Sequence, residues 1–164
     1  MNKTFPPILR AGLLVGTFDI AAAMLYFFIN TGNKDVLMVL KYVASGVFGK
    51  TAIAGGGEMI AAGFLFHYLI ALFFTAFFFW IYPHIKPFVS YTILSGIAYG
   101  LFVWAVMNLV IVPLSRIGHR PFNPVNAVIN LLILIVCMGI PLSLMANNFY
   151  RRKCLQVSAT NHSL

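Results

Sequence analysis

Charge is what this sequence has least of: 9% of its 164 residues are Asp, Glu, Lys or Arg, whereas 61% are hydrophobic. A water-soluble chain needs charge to cover its core, so a soluble globular fold is excluded and the solvent is lipid. Acids are scarcer still, being only Asp19, Asp35 and Glu58. No H-E-x-x-H, no G-x-S-x-G and no D-x-D metal pair is present, which removes the common hydrolytic and metal-dependent classes. The two cysteines, Cys137 in an apolar run and Cys154 after Arg151-Arg152-Lys153, make neither a disulfide framework nor a metal site. Haem held between helices requires two histidines at matching depth, yet only His67 falls in an apolar run while His84 and His119 fall in loops. Lys50-Thr51 follows Gly49, but the residue five before Gly49 is Ala44, so the phosphate-loop spacing is absent. The sequence therefore calls for no cofactor and no metal.

What is present is apolar length. Four runs reach membrane-spanning size, at about 9–30, 58–82, 89–114 and 123–148. They form one all-α transmembrane bundle over 1–150, followed by a polar C-terminal tail at 151–164. A cleaved leader is disfavoured, because Asp19 interrupts the first run and the run continues to Ile29. Met1 to Arg10 reads as an interfacial arm, with Pro6-Pro7 leading into the first span. Lys34 to Phe48 is apolar but too short to cross, and Lys34, Lys41 and Ser45 fall on one narrow stripe, so it reads as an additional interfacial or re-entrant helix between helices 1 and 2. Were it to cross, the bundle would have five spans. Gly55, Gly56 and Gly57 read as a hinge loop. Trp80 and Tyr82 are placed at the headgroup level, where amphipathic rings gather. Asn123 and Pro124 are an N-cap and first-turn proline, and Pro141 is expected to kink the last span.

The net charge of +8 comes from residues scattered over short loops and helix ends, where basic side chains set topology and meet anionic lipid headgroups. No nucleic-acid partner is expected. Lys3, Arg10, Lys86 and Arg151-Arg152-Lys153 fall on the side of the termini; Lys34, Lys41, Lys50, Arg116 and Arg120 fall on the other. The cluster after Tyr150 favours cytoplasmic termini.

Two patterns inside the spans carry the functional reading. Gly12 and Gly16 in helix 1, and Gly96 and Gly100 in helix 3, have the four-residue spacing that lets a neighbouring backbone approach closely. Residues 11–18 and 95–102 align at both glycines and at Phe18 and Phe102, which hints at a repeated helix pair. The second pattern is polar. Asp19 lies about 16 Å of helix from the loop-one end, His67 about 13 Å, Asn108 about 9 Å and Asn130 about 10 Å. These four form a candidate intramembrane cluster in one half of the bundle. An acid at the centre of a bilayer costs at least about 2.5–3.5 kcal/mol, so it faces other helices or water.

Gly16-x-x-Asp19, the run Tyr42-Val43-Ala44-Ser45-Gly46-Val47-Phe48-Gly49, the triple glycine, His67, Met107-Asn108-Leu109-Val110 and Pro113-Leu114-Ser115 resemble small bacterial four-helix inner-membrane proteins of unknown function. The resemblance runs from about Gly12 to Met145. It implies a bacterial inner-membrane bundle and carries no activity, cofactor or catalytic residue. The favoured function is a membrane-embedded interaction or scaffold protein, partnered by lipids, a second copy or another membrane protein. The alternative is a proton-coupled or small-solute transporter or channel using Asp19 and His67, and the lesser one an intramembrane lipid-modifying enzyme.

Overall fold

The computed structural model describes residues 5–84, 91–117 and 123–161. Among them the chain is helical. Helix α1 spans Phe5–Thr31, α2 Met38–Phe48, α3 Lys50–Ala54 and α4 Gly57–Ile81, with a 3-10 turn at Tyr82–His84. Helix α5 is the continuous run Thr92–Leu114. Helix α6 runs through Pro124–Ile133, Leu134–Gly139 and Ile140–Asn161 without a break. Helices α1, α4, α5 and α6 are long and apolar enough to cross a membrane, and α2 is the shorter apolar helix between the first two. The protein is an all-α, four-span membrane protein. Lys3, Lys86, Arg120 and Val89, the expected start of the third span, lie outside the described residues.

Helix ends depart from the sequence reading in explicable ways. Pro6 and Pro7 sit in the first turn of α1 and do not precede it, since a first-turn proline forfeits no intrahelical hydrogen bond. The segment read as a polar tail continues α6 to Asn161. The glycine-dense stretch contains the short helix α3, and its left-handed residue is Gly49, at φ 67°, not one of the triple. Gly55 and Gly56 form the connection to α4, where the Gly56 N–H donates to the Glu58 carboxylate at 2.7 Å. Asn123 caps α6, accepting from the N–H groups of Val125 and Asn126 at 3.0 and 3.2 Å.

Helix α2 does not cross. Its 11 residues make about 16 Å of helix, and it packs on the first third of α4. There a Cβ on Gly63 would overlap the Leu40 carbonyl, and Phe48 meets Phe66 at 6.0 Å between ring centroids. The Arg116 N–H donates to the Gly46 carbonyl at 2.9 Å. The connection after α5 thus lies at the same end as α2, as four spans require.

Lipid provides no hydrophobic drive between helices, so the bundle is held by close backbone approach and interhelical hydrogen bonds. Two helix pairs result. In the first, Gly12 and Gly16 of α1 face Leu72, Thr75, Tyr68 and Ala71 of α4; in the second, Gly96 and Gly100 of α5 face Gly139, Ile140, Ser143 and Ile135 of α6. The pairs join through an aromatic pile. Phe78 and Tyr99 lie 4.4 Å apart, Tyr82 stacks on Tyr150 at 5.6 Å, and the hydroxyls of Tyr99 and Tyr150 donate to the Phe74 and Phe79 carbonyls, each at 2.6 Å. Tyr82 is accordingly fully buried, whereas Trp80 is 65% exposed. Of the two rings assigned to the headgroup level, one belongs to the core, because the turn at Tyr82–His84 aims it inward at Tyr150.

Helices α5 and α6 each contain a six-residue π-helical stretch, Val106–Ile111 and Leu134–Gly139. Each ends two residues before a proline, Pro113 or Pro141. The residue just before the proline bonds five residues back, Val112 to Met107 and Ile140 to Ile135. A proline ring clashes with the carbonyl four residues earlier, and a widened turn relieves that clash while keeping the backbone hydrogen-bonded in lipid. Pro141 therefore acts through a wide turn.

A half-open bundle with Asp19 and His67 at its floor

Burial divides the bundle at mid-depth. On the side of the termini each span has buried positions: Ala11 to Ile20 on α1, Ala71 to Phe79 on α4, Ser95 to Val103 on α5 and Met138 to Ala146 on α6. On the other side none of the described span residues is buried except Gly63, which α2 covers. The boundary passes through Ile20, Ala71, Val103 and Met138. Asp19, Trp104 and Cys137 are sequence neighbours of that boundary and His67 lies one turn from it. Asp19 and His67 lie at one depth of the α1–α4 pair, whereas Trp104 and Cys137 are offset from each other by about 9 Å of helix along the α5–α6 pair.

Asp19 occupies the middle of the inward stripe of α1, between fully buried Val15 and half-buried Tyr26, yet stays partly accessible itself. On a helical period of 3.6, Val15, Asp19, Ala22 and Tyr26 share one face. Val15 is fully buried whereas Ala22 and Tyr26 continue the face half-buried, so the acid stands at the end of the fully buried core. His67, from α4, places its Nε2 2.8 Å from the Gly16 carbonyl. A carbonyl only accepts, so Nε2 carries the proton and Nδ1 is left to take or release another. The Asp19 carboxylate is within electrostatic reach of that imidazole and of the Cys137 thiol. It makes no hydrogen bond to the described residues. Beside it the Tyr68 hydroxyl donates to Thr17 Oγ1 at 2.8 Å, while Thr17 itself donates to the Leu13 carbonyl. On α5, the Trp104 indole N–H is buried without a partner among the described residues.

The other two members of the expected cluster stand apart. Asn108 is exposed and its amide donates to the Trp104 carbonyl at 2.9 Å on its own helix, because an asparagine mid-helix readily finds the carbonyl four residues back. Asn130 is exposed on α6, one turn deeper than Asn126. In place of these, the Tyr26 hydroxyl donates to Asn126 Oδ1 at 2.6 Å and bridges α1 and α6. Sequence reasoning overlooked that pair, although Tyr26 follows Asp19 by seven residues on one face and Asn126 precedes Asn130 by four. Cys137 and Trp104 carried no such signal.

Chemically, Asp19 and His67 are two ionisable side chains within electrostatic reach of one another, and together they carry one net charge. Gain or loss of a further proton changes that charge inside a low-dielectric bundle. Among the described residues no three His, Cys, Asp or Glu side chains converge as a metal site. Compared with protein-family models, curated proteins and solved structures, the chain matches none.

Proposed function

We propose that the protein is a small multi-pass carrier of protons, alone or with a small solute, working through Asp19 and His67. The single observation that carries the reading is a carboxylate in mid-span that makes no hydrogen bond to the described residues and lies within electrostatic reach of the His67 imidazole. A buried acid kept only as structural glue is expected to be hydrogen-bonded to its neighbours, because the penalty for leaving it unsatisfied is large. The reading takes an inner membrane from the resemblance to bacterial four-helix proteins, cytoplasmic termini from the Arg151-Arg152-Lys153 cluster, and anionic headgroups as partners of the basic helix ends.

The test is proton or solute flux in reconstituted vesicles, comparing the native chain with Asp19→Asn combined with His67→Gln. These exchanges keep size and most hydrogen-bonding capacity while removing the exchangeable proton. Flux is expected to fall roughly tenfold or more in a variant that still folds. No native flux above empty vesicles between about pH 5 and 8, the range in which a histidine site turns over, refutes the carrier. A static interaction or scaffold protein is the second reading, supported by the exposed amide of Asn130, which offers a second copy or a partner helix a hydrogen bond at membrane depth.

A further inference from the structure

The loop-one end brings two cations together away from any acid. Lys50 and Arg116 are exposed there, and neither makes an ion pair among the described residues. The three acids of the chain stand elsewhere. Asp19 is in mid-span, Asp35 precedes α2 at the end away from Gly49, and Glu58 accepts the Gly56 N–H with Lys41 as its neighbouring cation. Two backbone features set the position of the free cations. Gly49, at φ 67°, turns the chain from α2 into α3 in a conformation that favours glycine, and the Arg116 N–H donates to the Gly46 carbonyl at 2.9 Å, which lays the segment after α5 along that turn. A Cβ on Gly49 would stand 3.7 Å from the Arg116 Cβ, and Lys50 is the next residue, so both cationic side chains leave from one crease. Beside it Val47, Phe48, Ile53 and Leu114 are exposed apolar side chains.

We propose that Lys50 and Arg116 clamp the phosphate of one anionic phospholipid, whose acyl chains lie against the apolar side chains beside the crease. The inference rests on the reading of anionic headgroups as partners of the basic helix ends and narrows it to one site; it does not depend on Asp19 or His67. A single basic side chain at a membrane surface favours anionic lipid roughly fivefold. Two of them held on one crease can share a phosphate with little further ordering, the guanidinium as a planar fork and the ammonium as a point charge. A zwitterionic lipid offers the same phosphate together with its own cation, which competes with Lys50 and Arg116. A free phosphate ion has no chains to set against Val47, Phe48 and Leu114. Once bound, the lipid bridges the α2–α3 turn and the segment after α5.

Native mass spectrometry of the full chain in neutral detergent, with phosphatidylglycerol or phosphatidylcholine added, counts the lipids that survive collisional activation. One phosphatidylglycerol is expected to persist on the native chain, and phosphatidylcholine is not. Lys50→Gln with Arg116→Gln should weaken its retention roughly twentyfold, the product of two such cations, whereas Lys50→Arg keeps it. Lys34→Gln with Lys41→Gln removes the same charge at the same end and should leave the lipid in place. Melting of each variant without lipid shows that it is folded. Retention by the Lys50→Gln, Arg116→Gln variant, equal loss in the two double variants, or displacement of the lipid by millimolar inorganic phosphate each overturn the clamp. Equal loss with phosphatidylglycerol still preferred by the native chain leaves a diffuse attraction to anionic headgroups, while a native chain that prefers neither lipid removes that broader reading as well.

Discussion

Replacing Gly139 by alanine strikes a close backbone contact between two spans, α5 and α6. Its added Cβ would overlap the Gly96 carbonyl oxygen and lie 3.0 Å from that carbonyl carbon and 3.2 Å from the Gly100 nitrogen. The same crossing is tight from the other side, since a Cβ on Gly96 would stand 2.8 Å from the Gly139 oxygen and one on Gly100 would stand 2.8 Å from Ile135 Cα. These neighbours are backbone atoms and cannot swing away, so α5 and α6 must separate along the whole seam. Overpacking of this kind costs about 1–3 kcal/mol, and dispersion contacts along the seam weaken as it opens. Alanine recovers up to about 1 kcal/mol of helix propensity over glycine, which leaves a net loss of about 2 kcal/mol at the upper end. Gly12 is the informative contrast. Its nearest obstacle is the end of a flexible side chain, Leu72 Cδ2 at 2.6 Å, so Gly12→Ala should be close to neutral. Gly57 has nothing within 4 Å and serves as the control. Unfolding midpoints in detergent, titrated with a denaturing surfactant, rank the variants. Equal midpoints for Gly139→Ala and Gly57→Ala would refute the claim that backbone contact, and not apolar burial, holds the second helix pair.

The four-span topology requires cysteines placed at His84 and in the tail after Arg152 to be labelled from one face and a cysteine at Lys34 from the other; labelling of His84 and Lys34 positions from the same face would break it. Tyr99→Phe removes the hydroxyl that satisfies the Phe74 carbonyl at 2.6 Å inside the core and should cost about 1 kcal/mol in the same unfolding assay, with no loss indicating that the bond does not bind the pairs.

Much of this architecture was legible in the residues because in lipid the backbone must satisfy itself within each helix. Four apolar runs of spanning length then have little choice but four helices, and Lys34 to Phe48 is too short to be a fifth. Gly12, Gly16, Gly96 and Gly100 were recognisable for the same reason, as small residues matter where helices have only packing to hold them. Local spacing says nothing about which partner each face meets. Tyr82 and Trp80 look alike in sequence, and only the turn at Tyr82–His84 decides that one stacks on Tyr150 while the other faces outward. Pro113 and Pro141 announce a disturbance, but the widened turns before them arise because the helix must stay bonded in lipid around a ring that donates nothing.

The polar residues divide along the same line. Asp19 and His67 were readable as ionisable groups at similar depth, since each is isolated in an apolar run and its depth follows from residue count, yet the imidazole bonds the Gly16 carbonyl and not the carboxylate. Asn108 was equally conspicuous and bonds its own helix. Depth along a helix is fixed by the number of residues, which the sequence states; direction around the helix depends on which neighbour packs there. That second coordinate brought Tyr26 to Asn126 and confined the fully buried positions of the spans mainly to the half on the side of the termini, where the glycines of α1, α5 and α6 seat their neighbours.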